Sequence, residues 1–265
     1  MKKPIIFFTL AVFLLSVSAS AGSELTGARI IEKSQIAFHY QGEDMKAKIT
    51  MKLIDKGGGV RKRVLTMLRL EESDGGNQKI FIYFHEPGDL RNMTFMVWKY
   101  PDREDDRWIY ISSVDLIRRI AADDKRSSFV GSDFTYEDIS GRAASFDTHK
   151  ILRSETIDGK DYYVIESVPK EKVDYIRKIS WIDKENFLPL KEDYFDVQDE
   201  LFRVFTADKI EDIADFPTIT VRTMTNVKTG HRTEVSYENV SYDLGLDDGD
   251  FSERSMRKPP RDWIK

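Results

Sequence analysis

The sequence predicts a mainly β protein: an antiparallel meander of about eleven strands, one helix ahead of it, and short helices inserted midway. Three observations lead there. From Lys46 onward, apolar and polar residues alternate with period two in one run after another. The gaps between runs are turns, too short for the helix-length crossover that a parallel pair needs. One stretch, Val114 to Ser145, breaks the alternation and marks an insertion.

The elements follow in order. Gly27 to Tyr40 carries Ile30, Ile31, Ile36, Ala37 and Tyr40 near helical spacing, which predicts an amphipathic helix. Ile49, Met51 and Leu53 then alternate with Thr50 and Lys52, and Val64 to Leu70 continues the pattern after Gly57-Gly58-Gly59, so the two runs form a hairpin. Further strands are predicted at Lys79 to Phe84, Thr94 to Tyr100 and Arg107 to Ile111. After the insertion they resume at Phe146 to Thr156, Asp161 to Val168, Arg177 to Asp183, Leu188 to Phe195, Glu200 to Glu211, Phe216 to Asn226 and Arg232 to Tyr242. Asp158-Gly159 and Thr229-Gly230 supply hairpin turns. Within the insertion, Leu116 to Ala122 and Gly131 to Ile139 are read as short helices and loops.

Composition narrows the function. The 265 residues are 40% hydrophobic and 12% aromatic, too apolar for a disordered chain. A net charge of −5 argues against nucleic acid as a partner. With no Cys there is no disulfide, thiolate metal site, Cys nucleophile or lipidated cysteine. Residues 1–21 have the layout of a secretory signal peptide: Lys2 and Lys3, an apolar stretch from Ile5 to Val17, then Ala19-Ser20-Ala21 as the cleavage site. The expected mature protein is one exported domain over residues 22–265, not lipid-anchored.

Catalytic and metal motifs are weak, and no catalytic residue, metal or cofactor is expected. His39, His85, His149 and His231 show no metal-ligand spacing. Gly131-Ser132-Asp133 is not a nucleophile elbow, and a triad using Ser132 would have to assemble in space. Asp123-Asp124 and Asp247-Asp248 lack a calcium-loop pattern. Arg118 and Arg119 either form forks for a phosphate or carboxylate, or pair internally with Asp123, Asp133, Glu137 or Asp138.

Several segments resemble a family. Glu86-Pro87-Gly88-Asp89, Thr94-Phe95-Met96-Val97, Asp106 to Tyr110, Arg118-Arg119-Ile120, Phe129 to Asp138 and Tyr163 to Pro169 are similar to the bacterial outer membrane lipoprotein-sorting proteins, the LolA-like group. The resemblance implies an unclosed β half-barrel with helices in its mouth. It further implies a periplasmic carrier whose concave apolar face takes acyl chains of lipoproteins or lipids toward the outer membrane. An inner-membrane transporter of the resistance-nodulation-division type and an outer-membrane acceptor would be its partners. Two rivals stand beside this reading: an accessory subunit docking on such a pump without carrying lipid, and a periplasmic hydrolase.

The strands around the insertion are apolar on both faces and must be covered on both. Phe81, Tyr83, Phe95, Val97, Trp108 and Tyr110 are expected to supply one apolar face of a cavity, with the concave side left open. Val114 to Ile139 is expected to form its lid, with Phe129, Phe134 and Tyr136 as the lid's aromatic residues. Arg118 and Arg119 are expected to meet an anionic head group or a membrane partner.

Overall fold

The computed structural model describes residues 25–72 and 75–264; the leader expected at residues 1–21 lies outside the described residues. Thirteen antiparallel strands form one sheet: β1 (Asp44–Ile54), β2 (Val60–Glu71), β3 (Gln78–Glu86), β4 (Thr94–Lys99), β5 (Asp106–Ile111), β6 (Leu116–Ile120), β7 (Asp147–Ile157), β8 (Lys160–Pro169), β9 (Arg177–Asp183), β10 (Pro189–Phe195), β11 (Leu201–Ile213), β12 (Phe216–Asn226) and β13 (His231–Tyr242). Their spatial order is β6-β5-β4-β3-β2-β1-β13-β12-β11-β10-β9-β8-β7. Each half is a meander, and the halves join at β1 and β13, where Met51 lies opposite Val235. The sheet stays open, with β6 and β7 as its edges.

All the strands expected from alternation are present, and one more appears. Leu116 to Ile120, expected as a helix, is edge strand β6, paired with β5 through Tyr110–Ile117 and Trp108–Arg119. A short apolar run fits either element, and here pairing with an open neighbour decides.

The segment from Ala121 to Phe146 runs from one edge of the sheet to the other, which carries it over the concave face. It contains α2 (Tyr136–Ser140), whose N-terminus is closed by a capping box. There the Thr135 hydroxyl accepts from Asp138 N at 3.1 Å and Asp138 Oδ2 accepts from Thr135 N at 2.8 Å. Helix α1 (Gly27–His39), which matches expectation to within a residue, lies on the same side over the second half of the sheet. Its Ile30 and Ile31 bury against Ile165 and Ile182. The buried side chains of Arg69 and Gln78 cap its last turn by donating to the His39 carbonyl, at 2.9 and 2.7 Å.

The convex face has its own cover, which the sequence did not announce. Residues 244–264, with α3 (Glu253–Arg257) and α4 (Arg261–Ile264), lie back over β2–β5. Phe251 and Met256 are fully buried against Leu68, Phe81 and Met96. Trp98 Nε1 donates to the Phe251 carbonyl at 3.0 Å, and the Thr94 hydroxyl donates to the Met256 carbonyl at 3.1 Å. The strap is tied at its root by Asp44 on β1. This carboxylate, 2% exposed, accepts from the backbone N–H groups of Leu244, Gly245 and Leu246 at 2.7–2.8 Å.

Asp44→Ala would leave three N–H groups without their acceptor and is expected to cost about 3 kcal/mol of stability. Asp44→Asn, which keeps one strong acceptor, should cost about half of that. Urea unfolding measures both; a loss under about 1 kcal/mol in the alanine variant would show the strap to be held elsewhere.

Candidate functional site

Register decides which aromatic residues share a face. Ile82 lies opposite Phe95, Phe95 opposite Ile109, and Ile80 opposite Val97. Residues opposite one another across a ladder project to the same side. The concave face of the first half is therefore built from Ile80, Ile82, Phe84, Phe95, Val97 and Ile109, all buried in the main core. Phe81 lies opposite Met96, Met96 opposite Trp108, and Thr94 opposite Tyr110. Phe81, Tyr83, Trp108 and Tyr110 therefore face the C-terminal strap on the convex side. The expectation of one common face is corrected: Phe95 and Val97 are concave, the other four convex. Alternation fixes sides within a strand, but only pairing fixes them between strands.

The three aromatic residues expected in the lid do meet the concave face. Ser128 pairs with Thr135, and the chain turns between Phe129 and Phe134, with Phe129 N donating to the Phe134 carbonyl at 2.8 Å. The tip, Val130 and Gly131, has φ of 45° and 79°, left-handed values that a glycine adopts without penalty and a β-branched residue does not. Phe129, 1% exposed, packs between Phe84, Phe95 and Tyr136 with ring centroids 5.4–5.9 Å apart. Tyr136 also stacks on Phe95 at 5.3 Å. Phe134 reaches further along the concave face and lies over the Arg222 guanidinium at 5.4 Å.

Polar contacts ring this apolar plug. Asp133 Oδ2 accepts from the Thr233 hydroxyl at 2.7 Å and touches His231 Nδ1 at 2.6 Å. Asp138 pairs with Arg203 at 3.0 Å, and Glu137 with Arg142 at 3.2 Å. The buried Lys99 ammonium donates to the carbonyls of Ser140 and Gly141. Gly141 passes so close to α1 that an added Cβ would lie 2.7 Å from His39 Nε2. The Ser132 hydroxyl bonds to the Phe134 backbone, while His231 contacts Asp133, so these three residues do not form a nucleophilic relay. Among the described residues no cluster of three or more His, Asp or Glu is arranged to hold a metal ion.

Arg118 and Arg119 lie on β6 and project to opposite sides of the sheet, opposite Ile109 and Trp108 respectively. Both are exposed. Arg119 pairs with Asp106, not with the acidic residues of the insertion, and Arg118 has no ion pair among the described residues.

The second half of the concave face is charged, and sequence reading missed this. Lys178, Glu192, Arg203 and Arg222 project from β9–β12 toward α1 and the bridging segment. Glu192 sits 2.6 Å from Lys178 and accepts from the Tyr194 hydroxyl at 2.7 Å. Burial pushes its carboxyl up, but Lys178 and the hydrogen bonds outweigh it and hold the pKa below the usual value. Two small cavities, about 90 and 60 Å³, flank Phe38, His39 and Arg222. Both are far below the roughly 300 Å³ of an ordinary ligand pocket; a larger and more open cleft, about 1240 Å³, lies at the C-terminal end of α1 between Ile36, Tyr40, Leu70 and Phe216.

An open antiparallel sheet with a helix and a bridging segment packed in its mouth is a LolA-like fold. A family model described as "Uncharacterized protein" matches residues 76–258, and the chain belongs to that family. It is similar to a DUF1329 family protein from Desulfovibrio piger, with 27% identity, TM-score 0.79, and coverage of 87% of this chain and 97% of that one. It is equally similar to a candidate outer membrane lipoprotein-sorting protein domain from Vibrio parahaemolyticus, with 26% identity, TM-score 0.80, and coverage of 87% and 98%. A LolA superfamily protein from Nitrosomonas europaea shares the fold at 20% identity and TM-score 0.66, over 87% of this chain and 99% of that one. A search of curated proteins finds no match.

Two measurements probe the bridging segment. Asp138→Ala removes the Thr135 N–H acceptor, one half of α2's capping box, and the partner of Arg203; amide exchange within residues 127–140 is expected to speed up at least about tenfold, with β1–β3 unchanged. Uniform acceleration would mean that the lid opens only with the whole molecule. Lys99 gives a pH signature. Burial drives its pKa from 10.5 down to about 8. Below pH 8 the folded protein bears the cost of a buried cation, and between pH 8 and 10.5 it sheds a proton that the unfolded chain keeps. Stability of the wild type relative to Lys99→Met should therefore rise across that window, as read by urea midpoints; a flat difference would refute the assignment.

Proposed function

We propose that the protein is an exported carrier that binds acyl chains of a lipoprotein or lipid against its concave face and moves them through the periplasm toward the outer membrane. The observation that carries this reading is the plug: three aromatic side chains on a bridging segment, seated on an apolar concave wall and held at the rim by polar contacts. Those rim contacts exchange for water on opening at a net cost of about 1 kcal/mol each. The exposed apolar wall would be re-covered by cargo, at about 0.8 kcal/mol for each buried methylene. Such a cover can move without unfolding the sheet. The kinship with a domain described as lipoprotein-sorting supports the same class. No helix among the described residues is long and apolar enough to cross a membrane.

A second reading has its own support. The small cavities favour a subunit that docks on an inner-membrane transporter and carries no lipid, with exposed Arg118, Val114 and Leu116 at the β6 edge as contacts. Native mass spectrometry of detergent-free protein, followed by organic extraction, separates the two. About one acyl species per chain supports the carrier. An empty protein that also ignores fluorescent fatty-acyl probes supports docking. Phe134→Asp is expected to weaken probe binding at least about tenfold, while Trp108→Asp, on the convex side, leaves it within about twofold. Equal effects would move the binding surface away from the plug.

A further inference from the structure

Arg222 lies on β12, 8% exposed, and borders both interior cavities together with Phe38 and His39. Every other cationic side chain lining those cavities faces a carboxylate. Lys178 has Glu192 at 2.6 Å, Arg203 has Asp138 at 3.0 Å and Arg69 has Glu71 at 3.1 Å. Arg126 and Arg142 share Glu137 at 3.3 and 3.2 Å. Arg222 has no such partner among the described residues. One terminal nitrogen donates to the Tyr237 hydroxyl, and Nε has no hydrogen-bond partner. What surrounds it is aromatic: Phe38, Phe134 and Tyr237 lie 5.0–5.4 Å from the guanidinium carbon.

Ring faces attract the charge but cannot saturate five N–H donors. A buried cation without a counter-charge is costly, and an apolar side chain of similar size would be at least as stable there. Stability therefore does not account for Arg222. The local field points the same way. His39, buried beside it, is held neutral, its pKa well below 6.5, by burial first and then by Lys99, Arg222, Arg69 and Lys178. The guanidinium also sits at a chemical boundary. Charged β9–β11 lies on one side, and Met67, Ile80 and Ile219 line the second cavity on the other.

We propose that Arg222, with the Tyr237 hydroxyl beside it, binds the oxyanion of the cargo, so that the ligand is an acyl amphiphile with a carboxylate or phosphate head. The inference rests on the carrier reading and specifies its substrate class. A planar fork suits either oxyanion. Phe134, which lies on the guanidinium in the closed form, would give way to the head group as the lid opens.

Competition against a fluorescent fatty-acyl probe tests this with decanoate, decyl phosphate and decanol on the full protein. The wild type is expected to bind the two anionic compounds at least about tenfold more tightly than decanol. In Arg222→Met the three should bind alike, and the thermal midpoint should stay level or rise. Arg222→Gln serves as a second variant, and the wild-type comparison decides even if neither variant folds. Equal wild-type binding of all three, or a preference that survives loss of Arg222, overturns the inference and leaves the carrier reading intact. Binding of no amphiphile, decanol included, overturns both. Inorganic phosphate that displaces the probe at millimolar concentration, in an Arg222-dependent way, would mark a site for a free anion and overturn the amphiphile class.

Discussion

Strands β2–β5 are apolar on both faces, and an antiparallel sheet of that kind cannot leave either face in water. Leu65, Met67, Ile80, Ile82 and Phe95 need burial on one side; Leu68, Phe81 and Met96 need it on the other. Most of the remaining architecture answers this constraint. The bridging segment and α1 close the concave side, and the C-terminal strap closes the convex side. The two covers are held differently. Asp44 fixes the strap by three hydrogen bonds to backbone amides, and Phe251 and Met256 are sunk beneath it. The bridging segment is held mainly by side-chain pairs at its rim around a patch of aromatic rings. Two covers, held by different means, thus lie on opposite faces of the same strands.

The concave face is itself divided. Over β1–β5 it is mainly apolar, with Arg69, Gln78 and Lys99 as buried exceptions; over β9–β12 it carries charges that are buried but mostly paired. Buried pairs contribute little net stability, because desolvation consumes most of the attraction, yet each fixes the geometry of what it joins. Arg203 joins β11 to α2 through Asp138, and Arg142 ties Glu137 to Asp147 at the start of β7. The charged half anchors α2 through Arg203, and the apolar half receives the Phe129 and Tyr136 rings. The interior has a polar end and an apolar end, the layout of an amphiphile.

Much of this was legible in the residues. Period-two alternation located twelve of the strands, and the break from Val114 to Ser145 located the bridging segment. Phe129, Phe134 and Tyr136 were legible because they lie in the block, Phe129 to Asp138, that carries the family resemblance. The faces were not legible, because Phe81 and Phe95 occupy similar positions in their own strands, and only the pairing of Phe81 with Met96 separates them. Strand β6 was hidden because five residues bearing two arginines do not differ from a helical turn. The strap was hidden because residues 244–264 are polar in composition and bury only a few side chains. Arg222 was hidden for a subtler reason. Ile219 and Val221 alternate with threonines and suggest an outward arginine, whereas the strand buries Arg222 and Met224 and leaves Val221 half-buried.

The seam between β1 and β13 has a consequence for how the chain assembles. Every other ladder joins strands adjacent in sequence, so β1–β6 and β7–β13 can each grow hairpin by hairpin from local contacts. The seam instead joins Met45 to Tyr242 and Ile54 to Arg232, across nearly the whole chain. Its loop-closure entropy is met last, after both meanders exist. Until then β1 is an unsatisfied edge in the middle of the future sheet, with Ile49, Met51 and Leu53 available to any passing strand. This interval is the one in which a holding chaperone matters most.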